Sequence, residues 1–478
     1  MTKKRTIGKN FGNDLIKQLY KVKGVISVTI VGSFVNNYNL DKVGDLDVVI
    51  ICKKITNKIV KNSKEKIKKI KFKYPLIKRS LKINDTFGPV KYDAKKFLTI
   101  HMMIYDVKEH IEHAINSPFT CFDWQRSDWF KGKKLKEIFP VENIYLRDFF
   151  ESRRNSNEYL RDLKNNNISI RKYQMYKNKI YLRKKNYKID KKNRGEFVYH
   201  IINNLINNYN KLYINKNLKV SSKNFYKLFL KINKKNKYLW NEFKKLKKQK
   251  ANLNASYSDK SILLAEKFLK NFNIFLENER KKCKSLTFLR HAKTTVDDTI
   301  FLGQGRNPEI LKSNLKLKTN KKYDVIYSSP LRRAISTAKL FGKRNIVINS
   351  YLNEINYGKA EGMNLKQYSK KFPEKIKMWK NHIDTKFPQG ENIKDVKLRM
   401  LKFLRTLIIK NNFSKALVIT HNVFLRCLIG YFLKIKTKNY FKMNIDHLQK
   451  FNFILKEKKI HPDFKRKDLK KTLFKLYD

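Results

Sequence analysis

The sequence predicts a multidomain α/β protein, and three observations carry that expectation. Short β-branched runs alternate with helical patterns over residues 1–115, strand signals thin out over 116–283, and regular strand–helix alternation returns over 284–478. A chain of 478 residues is long for one domain and ample for two or three, each burying its own core. The expected parts are an amino-terminal α+β domain, a helical connector, and a carboxyl-terminal α/β domain of three layers.

In the first part a helical pattern near Asp14 to Tyr20 precedes "GVISVTIVGS", "DLDVVIICKK", a Lys-rich helix and "FLTIHMMIYD". The apolar runs are short, β-branched and bounded by Gly, Asp and Asn, which marks strands. In the middle part "EFVYHIINNLINNYNKLY" places Val198, Ile201, Ile202, Leu205 and Tyr209 on one helical face, and "SILLAEKFLKNFNIFLENE" repeats the pattern. In the last part strands are expected at "LTFLR", "YDVIYSS", "NIVINS", "ALVITH" and "FNFIL". Helices are expected at "LRRAISTAKLFG", "NIKDVKLRMLKFLRTLIIK" and "VFLRCLIGYFLK". Strands separated by helices imply a largely parallel sheet covered on both faces, with ligands at the carboxyl ends of the strands.

Lys and Arg number 110 against 40 Asp and Glu, a formal charge of +70. Such a surface attracts polyanions and phosphorylated ligands. Asn, Ile, Tyr and Phe are abundant too, as in the products of AT-rich genomes, and that bias is the main source of the charge. The cysteines Cys52, Cys121, Cys283 and Cys427 show no metal-ligand spacing, which fits a reduced cytoplasm without structural zinc. No secretory leader and no apolar run of about 20 residues occurs, so a soluble, cytoplasmic protein without membrane partners is expected.

Four carboxyl-terminal pieces converge. "FLRHAKT" ends a strand with Arg290 and His291; "SSPLRRAISTA" carries Arg332 and Arg333; "YLNEINYGKAEG" offers Glu354; "VITHN" ends a strand with His421. A neutral imidazole flanked by guanidiniums suits in-line attack on phosphorus, arginines spread the charge of the transferring group, and a carboxylic acid protonates the leaving oxygen. No metal is required, since cationic side chains take that part.

These motifs resemble the histidine phosphatases, the branch that includes phosphoglycerate mutase, over roughly 284–460. The resemblance implies a three-layer histidine phosphatase fold. It makes His291 the phosphate acceptor and Arg290 and Arg333 phosphate ligands. Glu354 becomes the proton donor and His421 the second pocket histidine, with Gln304, Gly305 and Asn422 expected to bind substrate. "FPQGENIKDVKLRM" resembles the family's Pro-Gly-Glu segment before a long helix. The chain departs from the family pattern at Asn422, where Gly is usual, and at Asp297, where Asn is frequent. The region is too short for the insertions of a typical mutase, so a phosphatase is expected rather than a mutase.

At the other end, "TIVGSFVNNYNLDKVGDLDVVIICKK" places Gly32 and Ser33 at a strand end and Asp45 and Asp47 on the next strand. Period two turns both carboxylates to one side, where they can share divalent cations, and the Gly-Ser turn offers N–H groups and a hydroxyl to phosphates. This stretch resembles the DNA polymerase β-like nucleotidyltransferases over about residues 10–115. The resemblance implies Mg²⁺ on Asp45 and Asp47, an NTP substrate, and binding by Gly32 and Ser33. The superfamily's third carboxylate position is taken by His101, with Asp93 and Asp106 nearby in sequence.

The expected whole is a bifunctional enzyme combining phosphomonoester hydrolysis through a phosphohistidine with Mg²⁺-dependent nucleotidyl transfer to a small-molecule acceptor. Two alternatives stay open: a nucleotidyltransferase acting on RNA, which ranks below small-molecule chemistry, and a phosphatase joined to a non-catalytic nucleotide-binding module.

Overall fold

The computed structural model describes residues 3–40, 45–87, 96–176, 179–188, 191–214, 220–250, 260–296, 299–313, 322–410 and 412–473. The chain divides into two compact units, Met1–Glu277 and Asn278–Asp478.

In the first unit the helix Lys3–Tyr20 leads into β1 (Val25–Val31), β2 (Asp45–Cys52), the helix Asn57–Phe72, β3 (Ser80–Asn84), the short β4 (Thr86–Phe87) and β5 (Phe97–Asp106). With β6 (Phe130–Gly132) they build a five-stranded sheet in the order β3-β5-β2-β1-β6, β4 standing outside it. β1 is antiparallel to β2 and β6, whereas β5 is parallel to β2 and β3. Val48, Val49, Ile50 and Ile51 of β2 are all fully buried, as a central strand covered on both faces requires. Phe11, Leu15 and Leu19, one stripe of the first helix, join Ile59, Ile67 and Ile70 of the second in the core.

This first unit holds residues 1–115 and nearly all of 116–283. β6, three residues too short to show alternation, pairs with Ser27–Thr29 at the sheet's edge. The middle stretch is not purely helical. β7 (Asn167–Tyr176) and β8 (Lys179–Lys188) form an antiparallel hairpin, joined by β4 in a three-stranded sheet. Their Lys- and Asn-rich composition hides the strand signal. The expected helices do form, at Lys191–Asn210 and Lys260–Lys281, with Val198, Ile201, Ile202 and Leu205 buried and Tyr209 half-buried.

The second unit holds β9 (Lys284–Arg290), β10 (Val325–Ser328), β11 (Ile346–Ile348), β12 (Lys415–Thr420), β13 (Lys450–Lys456) and β14 (Lys459–Pro462) in the order β11-β10-β12-β9-β13-β14. The first four in that order are parallel; β13 and β14 form an antiparallel hairpin at one edge. Leu289, Ile326, Leu417 and Ile419 meet Ala334 and Ala338 of the helix Arg332–Phe341. The neighbouring residue Phe288 points the other way, onto Phe403 of the helix Ile393–Ile409 and Phe424 of the helix Asn422–Phe432. The sheet is therefore the middle of three layers, and the carboxyl ends of β9, β10 and β12 open on one edge.

Among the described residues no helix is long and apolar enough to cross a membrane.

Candidate functional site

In the first unit, Val31 pairs with Asp47, and Gly32 follows with φ +80°. A β-carbon on Gly32 would stand 2.3 Å from Asp47 Oδ2, so only glycine lets the main chain approach this carboxylate. Ser33 is exposed at the N-cap of the single-turn helix Phe34–Asn37, and its side chain makes no cap bond. Burial first, and then the charge of Asp45, push Asp47 up to about 8. At neutral pH Asp47 thus holds a proton unless a cation stands by. Two neighbouring carboxylates are a donor set of the kind that a hard divalent ion takes.

His101 stands beside this pair, its Nε2 3.8 Å from Asp45 Oδ2. Burial lowers its basicity while Asp45 opposes the shift. Among the described residues no group of three or more His, Cys, Asp or Glu side chains could hold a metal ion, so His101 does not complete a three-ligand set. Asp106 lies five positions further along β5 and caps the helix Val107–Asn116 in a capping box with Glu109, a purely local duty. Asp93 and Asp297 lie outside the described residues.

In the second unit, Arg290 ends β9, His291 follows it, and His421 follows β12. The two imidazole rings are 4.9 Å apart. His291 Nδ1 lies 2.7 Å from the carbonyl oxygen of Ala292. A carbonyl can only accept, so Nδ1 carries the proton and Nε2 keeps its lone pair. Arg333 is fully buried and donates from Nε to His421 Nδ1 (3.3 Å), from one terminal nitrogen to Arg306 O (3.2 Å) and from the other to Gly303 O (2.8 Å). Three of its five N–H groups are thereby used among the described residues. Its neighbour Arg332 is exposed, its backbone N–H bonded to Asn307.

Glu354 is buried at the start of the helix Asn422–Phe432. Its carboxylate accepts N–H bonds from Asn422 (3.0 Å) and Val423 (3.1 Å), besides Ile355 (3.0 Å). Gln304 donates to the carbonyl of Glu354 (2.8 Å), Gly305 is exposed in the same loop, and Asn422 Oδ1 is buried without a partner among the described residues. The electrostatics follow from this crowding. Burial, Arg333 and Arg290 hold His291 well below the ordinary imidazole value, and burial with Arg333 does the same to His421. Burial raises Glu354 above the usual carboxylate range, against the pull of the Ile355 N–H and the arginines. A neutral imidazole with a lone pair, a buried N–H, guanidiniums and a carboxyl shifted toward its protonated form make a set able to move a phosphoryl group.

Residues 286–461 match the model of the histidine phosphatase superfamily (branch 1). The carboxyl-terminal part of the chain belongs to that superfamily. A phosphoglycerate mutase of Schizosaccharomyces pombe is 31% identical over 117 residues, which cover 23% of this chain and 56% of the mutase. The chain thus spans about half the length of that relative. A 2,3-bisphosphoglycerate-dependent phosphoglycerate mutase of Methanococcus vannielii is 29% identical over 203 residues, 34% of this chain and 86% of its own. Among solved structures, a phosphoserine phosphatase mutant of Entamoeba histolytica matches with 20% identity and a TM-score of 0.34, covering 39% of this chain and 99% of its own.

Within this histidine phosphatase part, several residues escaped the sequence reading. Arg399 forms a two-pronged ion pair with Glu391 (3.0 and 3.2 Å) and gathers the carbonyls of Tyr351, Asn353 and Glu354. The Pro-Gly-Glu segment is therefore the brace of the Glu354 loop. Thr337 accepts from Ala292 N and donates to Arg333 O, locking the turn after His291 to the arginine helix. Glu361 accepts from Gly303 N and Arg306 N, fixing the loop that carries Gln304. His447 packs 5.2 Å from the His291 ring, its Nδ1 3.1 Å from the His291 carbonyl. It sits in "NIDHLQ", a loop with no periodic pattern, and only its residue type could have flagged it.

Proposed function

We propose that the carboxyl-terminal unit hydrolyses phosphate monoesters through a phosphohistidine on His291. The observation that carries this reading is the tautomer of His291: Nδ1–H is held by the Ala292 carbonyl, which leaves Nε2 for attack. Nε2 forms the bond to phosphorus as the ester oxygen leaves with a proton from Glu354. Arg290, Arg333 and the Nε2–H of His421 bind the phosphoryl oxygens. Water then attacks phosphorus, Glu354 takes back a proton, and His291 and inorganic phosphate are released. The relatives named above include mutases; the hydrolytic reading is preferred because the matched region is compact. The test is turnover of p-nitrophenyl phosphate in EDTA, with acid-labile phosphate on the protein. His291→Ala should abolish both, and hydrolysis surviving that substitution overturns the assignment.

A second reading concerns the amino-terminal unit. The approach of Gly32 to Asp47, with Asp45 alongside, supports Mg²⁺-dependent nucleotidyl transfer to a small-molecule acceptor. Asp45 and Asp47 would hold the ion, which when bound supplies charge neutralisation at the triphosphate. Gly32 and Ser33 offer backbone N–H groups and a hydroxyl to phosphate oxygens. Release of pyrophosphate from an NTP with Mg²⁺, abolished by Asp45→Ala, tests it. Tight, steeply salt-dependent binding of RNA would favour an RNA acceptor instead.

A further inference from the structure

We infer that the amino-terminal unit carries a separate binding site for a phosphorylated small molecule. It is a cavity of about 260 Å³ at the end of β5, away from Asp45 and Asp47. Arg153 and Arg154 stand in its wall, and no Asp or Glu is among its described lining residues. Ser152, also in the wall and 3% exposed, has an Oγ without a hydrogen-bond partner among the described residues. Two arginines and a serine in one wall give it the positive charge and the hydroxyl that match a phosphate group.

The remaining wall suits an uncharged organic part. Asn116, Asn204 and Asn208 present amides, and Asn116 Nδ2 already donates to Glu112 O at 2.8 Å, so its oxygen is the group turned to other partners. An aromatic floor lies opposite. His113 stacks on Tyr105 with centroids 5.2 Å apart, and Trp124 leans on His113 at 5.1 Å. The loop bearing the arginines is held in place: Arg153 N donates to Asn116 O (2.9 Å), and Asn155 donates to Phe150 O and Ser152 O while capping the helix Ser156–Lys164. The site is thus preformed by backbone bonds.

Its position makes it distinct from the carboxylate pair. His101, Met103 and Tyr105 share one face of β5, and His101 is the residue beside Asp45. Tyr105 lies four residues on, about 13 Å at the rise of a strand. The inference rests on the cavity and not on nucleotidyl transfer, which can fail without touching it.

Trp124, 8% exposed in the cavity wall, supplies the reporter. The test uses the full chain with Trp129→Phe, Trp240→Phe and Trp379→Phe, so that only Trp124 fluoresces, and with His291→Ala to prevent turnover. AMP, glycerol 3-phosphate and inorganic phosphate are titrated against adenosine and glycerol. A saturable fluorescence change is expected with AMP or glycerol 3-phosphate and none with the neutral pair. Arg153→Gln with Arg154→Gln should weaken binding at least tenfold. Asn208→Asp, on the half-buried surface of the helix Lys191–Asn210, should do the same by repulsion and keeps the test open if the arginine variant fails to fold. No change with any phosphorylated probe, adenosine equal to AMP, or unchanged binding in a folded variant overturns the inference.

Discussion

Arg333 donates from Nε to Nδ1 of His421, and this one bond decides where the proton of His421 sits. With Nδ1 accepting, the neutral ring carries its hydrogen on Nε2, which is buried, has no partner among the described residues, and belongs to a ring 4.9 Å from that of His291. A lone N–H donor in a dry pocket is worth most where negative charge develops. His421→Ala should therefore lower kcat on an aryl phosphate by about 10²–10³-fold. His421→Gln, which can place an amide N–H there, should recover part of the loss. An alanine variant with unimpaired kcat would show that the donor faces nothing that reacts.

In the first step, which kcat/KM reports, the carboxyl of Glu354 matters only where the leaving oxygen needs a proton. Glu354→Gln should cost about 10²-fold or more on an alkyl phosphate, but much less on p-nitrophenyl phosphate, whose phenolate leaves unaided. The pH profiles carry the same signature. His291 is neutral above its depressed value, so the acid limb for both substrates should fall below the ordinary imidazole range. Glu354 is a donor only below its raised value, so the alkyl substrate alone should show a fall on the alkaline side as that proton is lost. Identical profiles for the two substrates would remove Glu354 from the donor role.

The parallel strands and their carboxyl-end residues were legible because each strand is a run of β-branched and apolar side chains, "ALVIT" of β12 being buried throughout. The pair Arg290–His291, Glu354 and His421 are far apart in sequence, yet the ends of β9 and β12 and the loop after β11 place them together, and residue type then names the chemistry to expect. What could not be read is what depends on backbone partners. Arg399 acts by gathering three carbonyls, Thr337 by joining a turn to a helix, and His447 by bonding a main-chain oxygen. None of those partners has a side-chain signature. The hairpin β7–β8 was missed for a different reason, since its Lys- and Asn-rich strands lack apolar alternation.

His110 is fully buried, and neither ring nitrogen has a hydrogen-bond partner among the described residues. Burial pushes it down to about 4. A depressed value in the folded state means stability that is present above the unfolded value of about 6.5 and is lost as pH falls toward 4. The gap corresponds to about 3 kcal/mol between pH 7 and pH 4. His110→Phe should leave stability near neutral pH within about 1.5 kcal/mol and flatten the acid loss by the larger amount. Urea midpoints of parent and variant across that range read the difference directly; parallel curves would mean that His110 does not titrate on unfolding.

Gly32 offers the sharpest separation of strain from chemistry in the amino-terminal unit. Alanine there meets two penalties: a left-handed backbone at φ +80°, costing about 1–2 kcal/mol, and a β-carbon 2.3 Å from Asp47 Oδ2 that must push the carboxylate aside. Gly24, at the start of the same strand, is also left-handed with φ +94°, but a β-carbon there meets only the Ile59 side chain at 3.1 Å. Gly24→Ala thus carries the strain without the displacement. Both variants should lose a few degrees of Tm, whereas Mg²⁺-dependent pyrophosphate release should fall about 10²-fold in Gly32→Ala alone, the expected cost of moving a reacting group by about 1 Å. Equal loss of turnover in both, or full turnover in Gly32→Ala, would mean that the closeness of Gly32 to Asp47 serves only the fold.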